Sequence, residues 1–543
     1  SWLIGYAAII TPLGLGVREA FLTYTLSFFA PLGISAALAI IARAAFTLTE
    51  IVFLFALFLL NKIVKSLPKV QSTVILLWAS IFSYNAYFTY YSIEKYNNFF
   101  TGRFDLGNMD QTVWNTLHGR FFQLTNPDGI ETVSRLAFHS DFILIALSPF
   151  YLLWQDPRML LLIQTIVIAA GAYFIYKIAE LVLKNRYISL VFAVSYLLNP
   201  FVEKQNLFDF HAVTLATTFL LAFFYFMLIK KHLWMTLALI LAVLCKEEVF
   251  AIAGILLLYL FYKTRSAKWL FLSFASFALF YLIIAKFIPD ARGGQHFAAE
   301  YFQDFGDKPS SIIKNLILNP VKTSEGLFTV SNFSYIFKLT LPTGFISFFA
   351  PLSLIFSFPD LAINLLSKNE NLKSLTFHYA ATIVPFLYVS SIYGVSKLLS
   401  IKKKFLTTRT LSVFVLTASV ISTYFYGTLP GSKNPSLEIY TDRVENAKQI
   451  QKFMSKIPEN LSIAASNNLG SHLSHRENIY TVPYGIDRAD VIVLLLNDDF
   501  AQPSLETQKK FASKLRHDPK YLLIFEDGDF IAFSKKEVSF YFR

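Results

Sequence analysis

The chain has 543 residues, of which 55% are hydrophobic, 17% aromatic and 15% charged, with a mean hydropathy of +0.50. A soluble domain carries about 25% charged residues, and apolar runs of about 20 residues, enough to cross a bilayer, recur from end to end, so the composition excludes an ordinary soluble protein. The net charge of +12 does not signal nucleic acid. It gathers in short clusters between apolar runs: Lys62/Lys65/Lys69, Lys177/Lys184/Arg186, Lys230/Lys231, Lys263/Arg265/Lys268 and Lys402/Lys403/Lys404. That is the bias of cytoplasmic loops. A single cysteine, Cys245, excludes an internal disulfide.

The chain starts at Ser1 inside an apolar stretch with no basic leader, and is expected to be a piece of a longer polytopic protein. Residues 1–62 hold two to three apolar segments broken by Thr11-Pro12-Leu13-Gly14-Leu15-Gly16-Val17-Arg18-Glu19-Ala20. Gly and Pro open the backbone there, which a membrane tolerates where protein supplies the missing hydrogen bonds. On this motif, residues 1–62 resemble the end of the flippase-like membrane domain of lysylphosphatidylglycerol synthases.

A span at about 72–92 leads to a loop, 93–138, containing Asp105 and Asp110. The positive-inside bias places this loop outside the cell. If helical, residues five apart diverge by roughly 140°, so the two carboxylates are not expected to share a proton. His139 and Asp141 open an apolar run ending at Trp154; as a helix it reaches about 24 Å, short for a hydrocarbon core of about 30 Å, so it is expected to lie at the interface or re-enter. A span at about 159–176 then returns inward.

Next comes a hairpin with outer turn Glu203-Lys204-Gln205-Asn206-Leu207-Phe208-Asp209-Phe210-His211. A second hairpin has Cys245-Lys246-Glu247-Glu248 at its apex. Its arms are only about 21 Å long, which puts the charged apex within the membrane zone, where such groups line cavities or sites. A span at about 269–287 leads to a second outer loop with Arg292. The stretch 340–367 is broken by Pro342, Pro351 and Pro359, His378 opens another apolar segment, and a last span runs over about 409–427. Residues 428–543 change character: two β-type runs, Val491–Leu496 and Tyr521–Phe525, flank a helical stretch around Glu506–Arg516, as in a small α/β domain. His472 and His475 are expected to face either the site or, the preferred reading, the domain's own surface.

One topology thus places Asp105, Asp110, His139, Asp141, Asp209, His211, Glu247, Glu248 and His378 at or just beneath the outer face. No histidine pair has i, i+4 or HExxH spacing, so no metal or cofactor is expected, although carboxylates leave a divalent ion open.

The stretches FDLGNMDQTVWNTLHG (104–119), His139 through LSPFYLLW, NLFDFHAVTLA (206–216), CKEEVF (245–250), FHYAATIVPFL (377–387) and NNLGSHLSHRENIY (467–480) resemble a family of membrane proteins, domain of unknown function 2079. That family in turn looks like a branch of the GT-C glycosyltransferases, polytopic enzymes that take sugars from polyprenyl-phosphate carriers on the outer face. The resemblance implies a mainly α polytopic bundle of GT-C-like type (63–427), after the flippase-like end (1–62), with a small extracytoplasmic α/β domain (428–543). It implies an inverting glycosyltransferase of the plasma membrane, with a lipid-linked sugar donor, membrane lipids and an unidentified acceptor as partners. GT-C enzymes place a catalytic Asp in the first outer loop, where Asp105 stands. Many carry Asp-Glu where this chain has Asp105-Leu106, and His-Pro-Pro where it has His139-Ser140-Asp141, so the base stays open between Asp105 and Asp110. Lys246, Lys204 and Arg292, in that order, are candidates to offset the leaving phosphate; Glu247, Glu248 and Asp209 to hold sugar hydroxyls; His211 and His378 to contact phosphate or sugar. The rival reading is a lipid or glycolipid flippase.

Overall fold

The structure, a computed structural model, describes residues 17–44, 47, 69–295, 297–441, 444–498 and 501–542. It divides into two compact units, Ser1–Leu76 and Leu77–Arg543. In the first, the helices Val17–Leu26 and Leu32–Ala44 are joined by an ion pair between Glu19 and Arg43 at 3.3 Å. Most of the Gly/Pro break from Thr11, and the cluster Lys62/Lys65, lie outside the described residues.

The second unit is mainly helical. Two of its described helices are long and apolar enough to cross a membrane, Arg158–Leu183 and Ala267–Arg292. Shorter apolar helices accompany them, Arg186–Leu197, Ala212–Leu228 and His232–Val243 among these. The last of them pairs with Glu248–Thr264 to make the short-armed hairpin with Lys246 and Glu247 at its bend. The segment after His139 forms only two short turns, Ile143–Leu147 and Ser148–Leu152. The Ile143 amide donates to the Leu244 carbonyl at 2.8 Å, which ties this segment to the hairpin bend. Each proline of the broken stretch sits in the first turn of a short helix: Leu341–Thr343, Pro351–Ser357 and Phe358–Leu366. Its missing N–H costs nothing there.

A two-stranded ribbon, β1 (Gln123–Thr125) against β2 (Thr132–Ser134), stands on the loop after helix Asn108–Leu117. The C-terminal region carries a five-stranded sheet of β3 (Ile463–Ala465), β4 (Ile479–Thr481), β5 (Val491–Leu495), β6 (Tyr521–Asp527) and β7 (Phe530–Lys535), in the order β4-β3-β5-β7-β6. The β3/β4 and β3/β5 pairs are parallel, and β7 runs antiparallel to both neighbours. All of β5 is buried: Val491, Val493 and Leu495 face one apolar cluster, Ile492 and Leu494 another. This is the alternation a strand covered on both faces requires. Helix Leu505–His517 joins β5 to β6, with Glu506 in its first turn and Lys514, Arg516 and His517 in its last, matching its dipole.

Candidate functional site

Helix Lys69–Asn97 ends in a loop that coils into one π turn, Arg103–Gly107, closed by the Gly107 amide donating to the Gly102 carbonyl at 3.0 Å. Such turns are frequent at functional sites. Arg103 is 1% exposed; its guanidinium donates to Gln111 Oε1 at 2.6 Å, to the Thr125 carbonyl at 3.1 Å and to Asn108, pinning the turn to β1. Asp209 holds the same loop from the helical side, accepting from Lys95 Nζ and from the Gly102 amide, both at 2.8 Å.

The turn presents Asp105, whose side chain is 36% exposed, to a cavity of about 640 Å³. Its Oδ1 lies 3.2 Å from His211 Nε2. His211 precedes helix Ala212–Leu228 and turns Nδ1 toward the Asp209 carbonyl at 3.0 Å. Both ring nitrogens thus face oxygen atoms. Burial pushes the Asp105 carboxyl up, but the hydrogen bond and charge of His211, with Lys95 and Arg135, outweigh it and hold Asp105 below the ordinary carboxylate value. His378 stacks on His211 with ring centroids 3.9 Å apart. Burial, then the charges of His211 and Lys246, holds it well below the usual histidine value, and its Nδ1 has no hydrogen-bond partner among the described residues.

The hairpin bend supplies another part of the wall. Lys246 pairs with Glu248 at 2.7 Å and lies 5.6 Å from the centre of the Tyr379 ring. Glu247 accepts from His139 Nδ1 at 2.7 Å and from the Ser140 amide at 3.1 Å. Phe280, Ile284, Ile312, Leu316 and Ile363 supply apolar wall. The cavity therefore offers both an ionisable lining and an apolar one.

Of the residues singled out in the sequence, Asp105, His139, His211, Lys246, Glu247, Glu248, Arg292 and His378 line this cavity. Asp110, Asp141, Lys204 and Asp209 are not part of its lining. Asp110 is fully buried against Tyr151, Ser474 and His475. Asp141 is held by two Arg135 nitrogens, at 3.1 and 2.7 Å, Asp209 by Lys95 and Gly102 as above, and Lys204 lies in helix Pro200–Leu207. His472 and His475 lie neither on the outer surface of the C-terminal region, the preferred expectation, nor in the lining of the Asp105 cavity. His472 stacks on Tyr96 at 4.0 Å, and His475 Nε2 lies 3.1 Å from Asp110 Oδ2, because that edge of the domain packs on the loop.

Sequence reasoning missed Arg135 and Asp360, which also line the cavity. Asp360 is 5% exposed; it accepts from Thr382, and its Oδ1 has no hydrogen-bond partner among the described residues. A lone carboxylate in the proline-broken apolar stretch was the available signal. Among the described residues, no group of three or more His, Cys, Asp or Glu side chains is gathered so as to hold a metal ion.

Several solved structures are similar in chain trace, three of them as follows. ArnT from Cupriavidus metallidurans in the apo state is 11% identical, with a TM-score of 0.43 over 79% of this chain and 93% of that one. The Archaeoglobus fulgidus oligosaccharyltransferase in complex with Zn and sulfate is 12% identical, with a TM-score of 0.39 over 76% of this chain and 68% of that one. The same enzyme tethered with an acceptor peptide is 13% identical, with a TM-score of 0.38 over 80% and 68%. No curated protein matches. The flippase-like resemblance of residues 1–62 finds no support in these comparisons. A family model described as a predicted membrane protein, domain of unknown function 2079, matches residues 95–527, a span that takes in the Asp105 turn, the hairpin bend and most of the C-terminal sheet; the chain belongs to that family.

Proposed function

We propose that the protein is a multi-pass glycosyltransferase of the plasma membrane. It moves a sugar from a polyprenyl-phosphate carrier to an acceptor hydroxyl on the outer face, with Asp105 as general base. One observation carries this reading: a carboxylate, Asp105, paired with His211, faces a cavity lined partly by charged side chains and partly by apolar ones. A lipid-linked sugar has the same division between polar head and apolar tail.

In this reading the acceptor oxygen attacks the anomeric carbon opposite the phosphate, which inverts the configuration. The new C–O bond forms as the bond to phosphate oxygen breaks, and that oxygen leaves with the electron pair. The hydroxyl proton passes to Asp105. A carboxylate held below its ordinary value is a modest base, but the hydroxyl grows acidic as its oxygen bonds to carbon, so transfer at the transition state needs no stronger one. The leaving phosphate needs positive charge nearby. Lys246 and Arg292 line the cavity and fit that role; Lys204 does not line it. Glu247 and Glu248, oriented by His139 and Lys246, fit sugar hydroxyls, and His378 offers Nδ1 to sugar or phosphate.

Transfer of radiolabelled sugar from a panel of polyprenyl-phosphate sugars by the purified protein tests the reading. Turnover from one donor is expected. Scrambling of lipid in liposomes without transfer from any donor would replace it with the flippase.

A further inference from the structure

The C-terminal sheet region touches the Asp105 turn directly, through polar contacts. Asn467 lies at the start of a short helical turn just after β3. Its side-chain Oδ1 accepts from two consecutive backbone amides of the π turn, Arg103 N at 2.9 Å and Phe104 N at 3.2 Å. These are the two residues immediately before Asp105. Thr101 Oγ1 meets Ser471 Oγ at 2.7 Å. The backbone approach is close: a Cβ on Gly470 would stand 2.2 Å from Arg103 Cβ, and one on Gly107 would stand 3.2 Å from the Ser471 backbone. The turn is thus gripped from two sides, by Asp209 on Gly102 and by Asn467 on Arg103 and Phe104.

We infer that Asn467 is a positioning residue for the transfer reaction, and that the C-terminal domain acts as the clamp that aims Asp105 at the cavity. The inference rests on the glycosyltransferase reading for its catalytic part. The first amides of a helical turn have no partner within the turn, and one carboxamide oxygen satisfies two of them here. Without it those amides turn to other partners, and Asp105 shifts from His211. A displacement of about 1 Å at a reacting group costs on the order of a hundredfold in rate.

The test uses the full chain in lipid nanodiscs, with Asn467→Ala, Asn467→Asp and Asp490→Asn beside wild type. Asp490 accepts from the Ser462 amide at 3.0 Å and from its hydroxyl at 2.7 Å and lies 3.7 Å from Lys535 Nζ, so its variant removes a charge from the C-terminal domain without touching the turn. The readouts are kcat, KM, the pH profile and amide exchange over residues 101–108. Asn467→Ala is expected to lower kcat about tenfold to a hundredfold with little change in KM and to speed exchange in that segment. Asn467→Asp keeps the acceptor, so it should restore protection, while its added negative charge moves the acid limb of the pH profile upward. Asp490→Asn should leave kcat and exchange over 101–108 unchanged. Unchanged exchange in Asn467→Ala, or an equal loss of kcat in Asp490→Asn, would overturn the inference. A wild type inert toward every donor would remove the glycosyltransferase reading, while the exchange data would still decide whether Asn467 holds the turn.

Discussion

Asp105 and Asp110 stand in separate environments on one continuous turn and helix. Asp105 meets His211 Nε2 at 3.2 Å on the cavity wall. Asp110, fully buried, meets His475 Nε2 at 3.1 Å. The first carboxylate lines the cavity. The second has every near neighbour supplied by the protein, and three of these, Tyr151, Ser474 and His475, converge on it.

On the proposed reading, the Asp105–His211 pair is expected to set the acid side of the pH profile. The folded-state value of Asp105 is depressed, so its ionised form, and the stability it contributes, are present above the unfolded carboxylate value. Both are lost as pH falls through the lower folded value. Replacing His211 by Gln removes the leading cause of the depression. Transfer by His211→Gln should therefore fail at higher pH than wild type on the acid limb. A pH–rate profile of both proteins checks this.

For Asp110 the expected effect is on stability. Burial opposes protonation of His475, but the Asp110 charge and hydrogen bond outweigh it and raise its value. A raised histidine stabilises fully below its unfolded value, and that stability is lost as pH rises through the folded one. Asp110→Asn should cost about 1.5–3 kcal/mol, the range for a hydrogen bond to a charged group, and should abolish the decline above neutral pH. Thermal unfolding at several pH values reads both effects.

Gly470→Ala puts a methyl group 2.2 Å from Arg103 Cβ. Backbone on both sides has to move, and overpacking of this kind costs about 1–3 kcal/mol. Lower thermal stability together with a fall in transfer is expected, measured on the same preparation.

Two of the strands and the long apolar helices were legible because each is a continuous apolar run of characteristic length. Val491–Leu495 forms a strand within the run Val491–Leu496, and the apolar run after Lys268 forms part of helix Ala267–Arg292. The bend at Lys246-Glu247 was legible because charge on short apolar arms demands compensation. The clamp was not. Arg103 and Asn467 are 364 residues apart, and a polar side chain meeting a backbone amide leaves no periodic trace. The same reason accounts for Asp141 and Asp209. Their type and place in outer loops suggested substrate contact, but Arg135 and Lys95 satisfy them, and nothing in the local sequence marks those partners. Asp360 was concealed by a stretch whose prolines made its path unreadable.

The central claim is that Asp105 is the base. Its most direct test is sugar transfer by purified wild type, Asp105→Asn and Asp110→Asn from the donor that supports turnover. Asp105→Asn, assayed below its own unfolding temperature, is expected to lose at least about a hundredfold in kcat, the lower range for a general base. Asp110→Asn, once assayed below its lowered unfolding temperature, should keep most of its turnover. Full turnover in a folded Asp105→Asn protein, or loss confined to Asp110→Asn, would contradict it.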